Sequence, residues 1–253
     1  MPKLLVRVPS PLLAQGELTH LDRVEADADL ALSQWRDYVS VYRDRGWQIV
    51  DVTEAPDQPD GVFIEDALVV FDDIVVIGRP GAESRRGEIA TARAAADTLG
   101  LPVHEIKAPG TLDGGDVLKI GRTVYVGASS RTNDDGIRQL DALLSPRGWK
   151  IVAVPVTRVL HLKSAVTALP DGTVIGYEPL VDDPSVFPRF LPVPEEHGTA
   201  VVVLDEVTVL MSADAPQTAA LLRSRGLSVI QTPVTEFEKL EGCVTCLSVR
   251  VRR

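Results

Sequence analysis

The scarcest reactive side chains in this 253-residue chain are two cysteines and four histidines, His20, His104, His161 and His197. Cys243 and Cys246 stand in a CxxC spacing within Gly242-Cys243-Val244-Thr245-Cys246-Leu247-Ser248-Val249, which invites a redox or a zinc reading. The local context argues against both. A thioredoxin-like pair opens a helix, whereas this β-branched segment reads as a strand, where positions three apart face opposite sides. Zinc needs two further nitrogen or sulfur ligands, and with no second CxxC or paired-histidine spacing no metal is expected. An inert buried thiol and a catalytic nucleophile are the readings that remain for each cysteine. A redox protein built on the pair would use both sulfurs, so losing either would be equally damaging.

His161 follows an apolar strand end in Thr157-Arg158-Val159-Leu160-His161-Leu162-Lys163-Ser164, where it reads as a structural histidine or as an acid/base. Asp113 and Asp116 flank Gly114-Gly115 in Thr111-Leu112-Asp113-Gly114-Gly115-Asp116-Val117. Such a pair makes a turn, and it also lets backbone come close to a ligand with both carboxylates beside it. A third acidic group is Asp60, Glu65 and Asp66 in Pro59-Asp60-Gly61-Val62-Phe63-Ile64-Glu65-Asp66. A solvated turn accounts for Asp60. Glu65 and Asp66 instead interrupt an apolar run, and bare burial of two carboxylates is costly, so they must face water or a cation. A guanidinium ligand would satisfy them.

The composition bounds what these groups can serve. Thirty-six acidic residues against 26 basic ones leave a net charge of -10, which disfavours nucleic acid and anionic membrane as partners and suits a cationic ligand. No apolar run approaches the roughly 18 residues of a membrane span, and the opening residues lack a signal-peptide pattern. A cytoplasmic protein with free thiols and no disulfide framework is expected, either a monomer or a homodimer.

Apolar runs alternate with amphipathic stretches, an α/β pattern, and a weak repeat of roughly 35 to 50 residues runs through them. The pattern predicts one domain over residues 1–253, built from five units at about 21–78, 83–128, 133–176, 182–211 and 215–253. Each unit is a helix, a strand and a hairpin. The first has a helix at 21–45, a strand at 48–52 and a hairpin at 62–77. The fourth is degenerate, and the last strand, at 244–251, lacks a partner that the strand at 3–8 would supply. Such an exchange closes a ring and removes exposed sheet edges. A Rossmann fold is the competitor, but it demands a Gly-rich turn after the first strand, and Val8-Pro9-Ser10-Pro11 is not one. The acids, His161 and Cys246 fall at equivalent hairpin entries, and in a ring these converge on the axis. Asp60, Glu65, Asp66, Asp113 and Asp116 are therefore expected to line one axial pocket for a cation.

Those motifs, together with Arg79-Pro80-Gly81-Ala82-Glu83-Ser84-Arg85-Arg86, Ser130-Arg131-Thr132-Asn133 and Thr245-Cys246-Leu247-Ser248, resemble in order the motifs of the dimethylarginine dimethylaminohydrolases. The resemblance implies the single-domain five-bladed ββαβ α/β-propeller of the guanidino-group modifying (pentein) superfamily, with five-fold pseudosymmetry. It implies hydrolysis of Nω-methylated arginine to citrulline and a methylamine, with no cofactor. Cys246 would be the nucleophile, His161 the acid and then the base, and Asp113 the carboxylate that orients His161. Asp60, Glu65, Asp66, Arg85 and Arg131 would bind substrate, carboxylates to the guanidinium and α-amino groups and arginines to the α-carboxylate. Leu18 and Leu240 would add backbone or lid contacts. An acidic channel raises a thiol's pKa, so cationic substrate would itself drive Cys246 to ionise. Glu241 stands where relatives carry Asp, and Cys243 is outside the pattern. Two alternatives remain. An arginine or agmatine deiminase of the same superfamily carries a carboxylate two residues past the histidine, where this chain has Lys163. A non-catalytic arginine-binding protein would have no use for a Cys/His/Asp set.

Overall fold

The computed structural model describes residues 1–252, so Arg253, the last residue of the fifth expected unit, lies outside it. Its sheets are five, each of three strands. The first joins β15 (Val249–Val251), β1 (Lys3–Val6) and β2 (Gln48–Asp51); the second joins β3 (Leu68–Val70), β4 (Val75–Ile77) and β5 (Val103–Glu105). The third holds β6 (Val117–Ile120), β7 (Thr123–Ala128) and β8 (Lys150–Pro155). The fourth holds β9 (Val166–Ala168), β10 (Val174–Gly176) and β11 (Phe190–Pro192), and the fifth β12 (Val201–Val203), β13 (Thr208–Ser212) and β14 (Ser228–Thr232). In each, the middle strand pairs antiparallel on one side and parallel on the other.

The two ends of the chain share the first sheet: Lys3 pairs with Val251 and Leu5 with Val249. A parallel third strand requires a crossover, so the strand after each helix returns to the hairpin before it. The sheets therefore straddle the boundaries of the units drawn from the sequence: β5, in the second unit, completes the hairpin of the first.

The connecting helices include α1 (Ala28–Arg43), α2 (Ile89–Asp97), α3 (Asp134–Leu144), α4 (Leu162–Ala165), α5 (Pro216–Ser224) and α6 (Thr235–Glu238). α1 starts seven residues later than expected because Asp27 caps it, accepting the N–H groups of Asp29 and Leu30 at 2.9 and 3.0 Å. The preceding segment is held as a loop: Glu241 accepts the N–H groups of Thr19 and His20, and Arg23 donates to the carbonyls of Ala14 and Gly16. Where the other crossovers carry a helix, the one from β10 to β11, leading into the degenerate fourth unit, has two 3-10 turns, Glu178–Leu180 and Pro184–Val186.

Two strand assignments are corrected. Residues 64–66 form a 3-10 turn ahead of β3, so Glu65 and Asp66 leave a turn rather than interrupt a strand. Residues 244–247 form a turn as well, and β15 begins only at Val249. Val244 and Thr245 favour strand, but the Cys246 N–H donates to the Cys243 carbonyl at 3.1 Å, and Arg250 donates to the carbonyls of Thr245 and Ser248. Tertiary partners outweigh a weak β-propensity here.

Apolar side chains fill the spaces between helices and sheets. Leu4, Tyr38, Tyr42, Phe237 and Leu247 are buried together between α1 and the first sheet, and Val117, Val124, Leu140 and Leu144 lie beneath α3. These clusters leave the turns at the strand entries pointing inward.

Candidate active site

The Gly114-Gly115 turn is the hinge of the site. A Cβ on Gly114 would stand 2.0 Å from the Glu65 carbonyl oxygen, and one on Gly115 2.6 Å from His161 Nδ1 and 2.7 Å from Asp66 Oδ1. Only bare backbone lets Asp66 and His161 approach this closely. The Gly115 N–H donates to Asp66 Oδ1 at 3.0 Å.

His161 is fixed from two sides. Its Nε2 meets Asp113 Oδ2 at 3.1 Å, and its Nδ1 lies 3.8 Å from Asp66 Oδ1. Asp113 is itself held, since its other oxygen accepts the Gly81 N–H at 3.1 Å and its own N–H donates to Thr132 Oγ1 at 3.1 Å. That accounts for the Arg-Pro-Gly and Arg-Thr-Asn motifs, which lie far from Asp113 in sequence. Asp116 accepts the Ser129 and Thr132 hydroxyls at 2.7 and 2.6 Å and the Leu162 N–H at 2.9 Å, which seats the start of α4 and with it His161. Burial works against a charged imidazole. Asp66, the Asp113 hydrogen bond and Asp116 outweigh it and lift His161 to about 9, so the ring is a cation at neutral pH.

Cys246 sits on the turn after α6, 6% exposed. Glu241 precedes this turn at φ 59°, and a Cβ on Gly242 would press within 2.3 Å of the Phe63 ring. The two sulfurs do not face opposite sides, as a strand would have placed them: Cys243 Sγ lies 3.4 Å from Cys246 Sγ. The contact moves the two thiols apart in acidity. Cys246 is pushed well above the ordinary thiol range by the hydrogen bond to Cys243, by burial, and by the charges of Cys243, Glu65 and Asp66. Cys243 is drawn down to about 7, chiefly by the same hydrogen bond and then by the Thr245 hydroxyl.

A narrow cavity of about 10 Å³ brings together Cys246, His161, Asp60, Asp66, Arg85, Arg131 and Leu240, with Glu17, Phe63, Leu160, Glu241 and Gly242 completing the wall. Two larger cavities, of about 410 and 210 Å³, lie elsewhere and lack this convergence of groups. Asp60 accepts the Glu17 N–H at 3.1 Å, and burial pushes its carboxyl up against the pull of Arg85. Arg131 faces Glu17 at 3.2 Å and donates to Thr19 Oγ1 at 3.2 Å.

Arg85 is not a surface cation. It is 5% exposed and donates to Asp66 Oδ2 at 2.7 Å, to Glu88 at 2.8 and 3.0 Å, and to the carbonyls of Asp60 and Phe63. Most of its fork is engaged by protein, so its direct effect is to pin Asp66 as an anion; Arg131 keeps more of its fork toward the cavity.

Glu65 departs most from expectation. Its carboxylate lines the 410 Å³ cavity rather than the one holding Cys246, and it pairs with Lys163 Nζ at 2.6 Å and Arg250 at 2.8 Å. The protein's own cations pair with its Oε1, where a guanidinium ligand had been expected, while its Oε2 is buried without a hydrogen-bond partner. Only its backbone touches the nucleophile's turn, through an N–H donated to the Cys246 carbonyl at 3.2 Å. The five acids thus do not line one pocket: Asp60 and Asp66 face the narrow cavity, Asp113 and Asp116 lie fully buried behind His161, and Glu65 faces away. Leu18 packs its side chain against the first apolar cluster, and its neighbour Glu17 is what lines the cavity.

Glu17, Glu88 and the tether from Glu241 were missed by sequence reasoning. Glu88 carried a signal, an acid three residues after Arg85 on a helical stretch. Glu17 carried none, since a loop has no period to read. The atoms of Asp66, Asp113 and His161 are close enough to hold a cation. Arg85 already neutralises Asp66, however, and the imidazole is itself positive, which suits proton transfer rather than metal ligation.

This chain is similar along its whole length to proteins of known name. It is 58% identical over 250 residues to the N(G),N(G)-dimethylarginine dimethylaminohydrolase of Streptomyces coelicolor, covering 99% of this chain and 97% of that one. The chain belongs to the dimethylarginine dimethylaminohydrolase family. A dimethylarginine dimethylaminohydrolase of Pseudomonas aeruginosa is 33% identical over 255 residues, with 98% of each chain covered. Among solved structures, a cysteine-to-serine mutant of the Pseudomonas aeruginosa enzyme complexed with citrulline superposes at a TM-score of 0.91, 31% identical over 99% of both chains. A histidine-to-glycine dimethylarginine dimethylaminohydrolase carrying an S-methyl-L-thiocitrulline adduct also superposes at 0.91. No family model matches. This chain has the fold of those structures, and its five three-stranded sheets fit the five-fold α/β propeller that the motif resemblance implied.

Proposed function

We propose that this protein hydrolyses Nω-methylated arginine, such as asymmetric dimethylarginine, to citrulline and dimethylamine. The observation that carries the reading is the meeting in one narrow cavity of Cys246 and a cationic His161 with the carboxylates of Asp60 and Asp66. A guanidinium carbon is a poor electrophile, which a soft thiolate can attack, and a single histidine can serve both half-reactions.

In the reading we favour, the substrate cation settles beside Asp60 and Asp66, and its charge lowers the pKa of Cys246. The Cys246 sulfur forms a bond to the guanidinium carbon. His161 gives its proton to the departing dimethylamine as the carbon–nitrogen bond breaks, leaving a thiouronium on Cys246. The neutral imidazole then takes a proton from water, whose oxygen bonds to the same carbon, and the carbon–sulfur bond breaks as the remaining hydroxyl proton passes to the departing Cys246 sulfur, releasing citrulline. Asp113 holds the ring through both steps, and Arg131 receives the α-carboxylate. Leu240 forms part of the apolar wall, and Leu18 belongs to the loop that covers it. At about 10 Å³ the cavity is too small for an arginine side chain, so its wall must move to admit substrate.

Lys163, paired to Glu65 on the far side of the turn, stands where a deiminase would place a carboxylate for an unsubstituted guanidinium. Residence in the cytoplasm is part of the proposal and rests on two free cysteines; among the described residues no helix is long and apolar enough to cross a membrane. The test is to incubate the protein with asymmetric dimethylarginine, monomethylarginine, arginine and agmatine, and to assay ureido product and released amine. Turnover of arginine or agmatine alone would overturn the reading.

A further inference from the structure

Cys243 has no part in that chemistry, yet its sulfur lies 3.4 Å from that of Cys246. The two thiols stand between two cavities. Cys246 lines the narrow one, whereas the half-buried Cys243 lines the 210 Å³ cavity on the other side, beside His20, Arg158, His197 and Glu241. The hydrogen bond from the Cys246 N–H to the Cys243 carbonyl closes a turn that holds the two Cα atoms within about 7 Å, a separation a disulfide tolerates. Closing 3.4 Å to a bond of about 2.05 Å needs each sulfur to move by about 0.7 Å, a small side-chain rotation.

We propose that Cys243 and Cys246 form a reversible disulfide that masks the nucleophile, with a hydroperoxide as the oxidant. The effect on turnover rests on Cys246 being the nucleophile; formation of the bond does not. The geometry also orders the steps. Cys243 faces the wider cavity and is the more acidic thiol, so its thiolate attacks the peroxide first. Its sulfur bonds to one peroxide oxygen as the O–O bond breaks, and the departing hydroxide takes up a proton to become water. The Cys246 sulfur then attacks the sulfenic sulfur of Cys243. The S–S bond forms, the S–O bond breaks, and the released hydroxide takes the Cys246 proton to leave as a second water. Two thiols lose two electrons in all, and the peroxide gains them. A dithiol reductant restores both thiols by exchange.

The test exposes the intact protein and its Cys243→Ala and Cys243→Ser variants to hydrogen peroxide. Whole-protein mass, free-thiol titration and residual activity are followed before and after dithiothreitol. The unaltered protein is expected to lose two hydrogen masses and both titratable thiols, and to recover both and its activity on reduction. Both variants should keep basal turnover and be inactivated at least about tenfold more slowly, since burial, Glu65 and Asp66 still hold the remaining thiol above the ordinary range when Cys243 is gone. They should gain oxygen mass without losing hydrogen. Loss of two hydrogens with activity retained would uphold the disulfide and refute Cys246 as the nucleophile. Inactivation of the unaltered protein by oxygen gain alone, or equal inactivation rates in all three proteins, would overturn the proposal.

Discussion

Gly115 lies so close against His161 that a Cβ at this position would stand 2.6 Å from the ring's Nδ1. Neither partner has room to give, because the Gly115 N–H is bonded to Asp66 and the opposite ring nitrogen to Asp113. A Gly115→Ala substitution must therefore displace the imidazole. Misplacement of a catalytic group by about 1 Å costs on the order of 10²-fold in rate. We expect kcat to fall by about that factor while the fold persists, read by steady-state kinetics alongside circular dichroism. Unchanged kcat would mean that His161 need not hold this position.

The charge on His161 sets a pH signature. Its pKa is raised from 6.5 to about 9 in the native state, so below about 6.5 both folded and unfolded states hold the proton and the full stabilisation is present. As pH rises from there through 9, only the folded state still holds it, and this contribution is progressively lost. Urea midpoints should fall over that window, and kcat/KM should decline above about 9 as the general acid is lost. Asp113→Asn removes one raising influence and should move the kinetic limb to lower pH. A limb that stays in place in that variant would count against the Asp113–His161 contact as its cause.

Glu65 separates two roles that the sequence alone merged. With its carboxylate on Lys163 and Arg250, Glu65→Gln leaves one buried and one half-buried cation less well paired, a loss of about 3 kcal/mol. We expect a clear drop in thermal midpoint with KM nearly unchanged, measured by calorimetry and by kinetics on dimethylarginine. A large rise in KM at unaltered stability would return Glu65 to the substrate site.

Glu241 carries the loop over the cavity, accepting the Thr19 and His20 N–H groups at 2.8 and 2.7 Å from a backbone at φ 59°. Glycine tolerates that conformation, so Glu241→Gly removes the tether without adding strain. We expect KM to rise about tenfold, a modest figure for two hydrogen bonds because both are solvent-exposed, with kcat little affected. A selective fall in kcat would instead place Glu241 in the chemical step.

Much was legible in the order of residues. Alternating apolar runs, helix stops and turn residues are local signals with short periods, and they located four hairpins and the exchange of strands between the two chain ends. The scarcity of cysteine and histidine singled out Cys246 and His161, and the resemblance of the motifs added Asp113. The excess of ten negative charges pointed to a cationic ligand. What local periodicity cannot encode is which face of a turn each side chain takes. That depends on partners distant in sequence: Arg250 and Lys163 turn Glu65 away from the nucleophile, and Arg85 with Glu88 locks Asp66 toward it. The cysteines show the same division. Their spacing and β-branched neighbours read as a strand with diverging sulfurs, and only the turn held by Arg250 and the Cys243 carbonyl brings the two sulfurs within 3.4 Å.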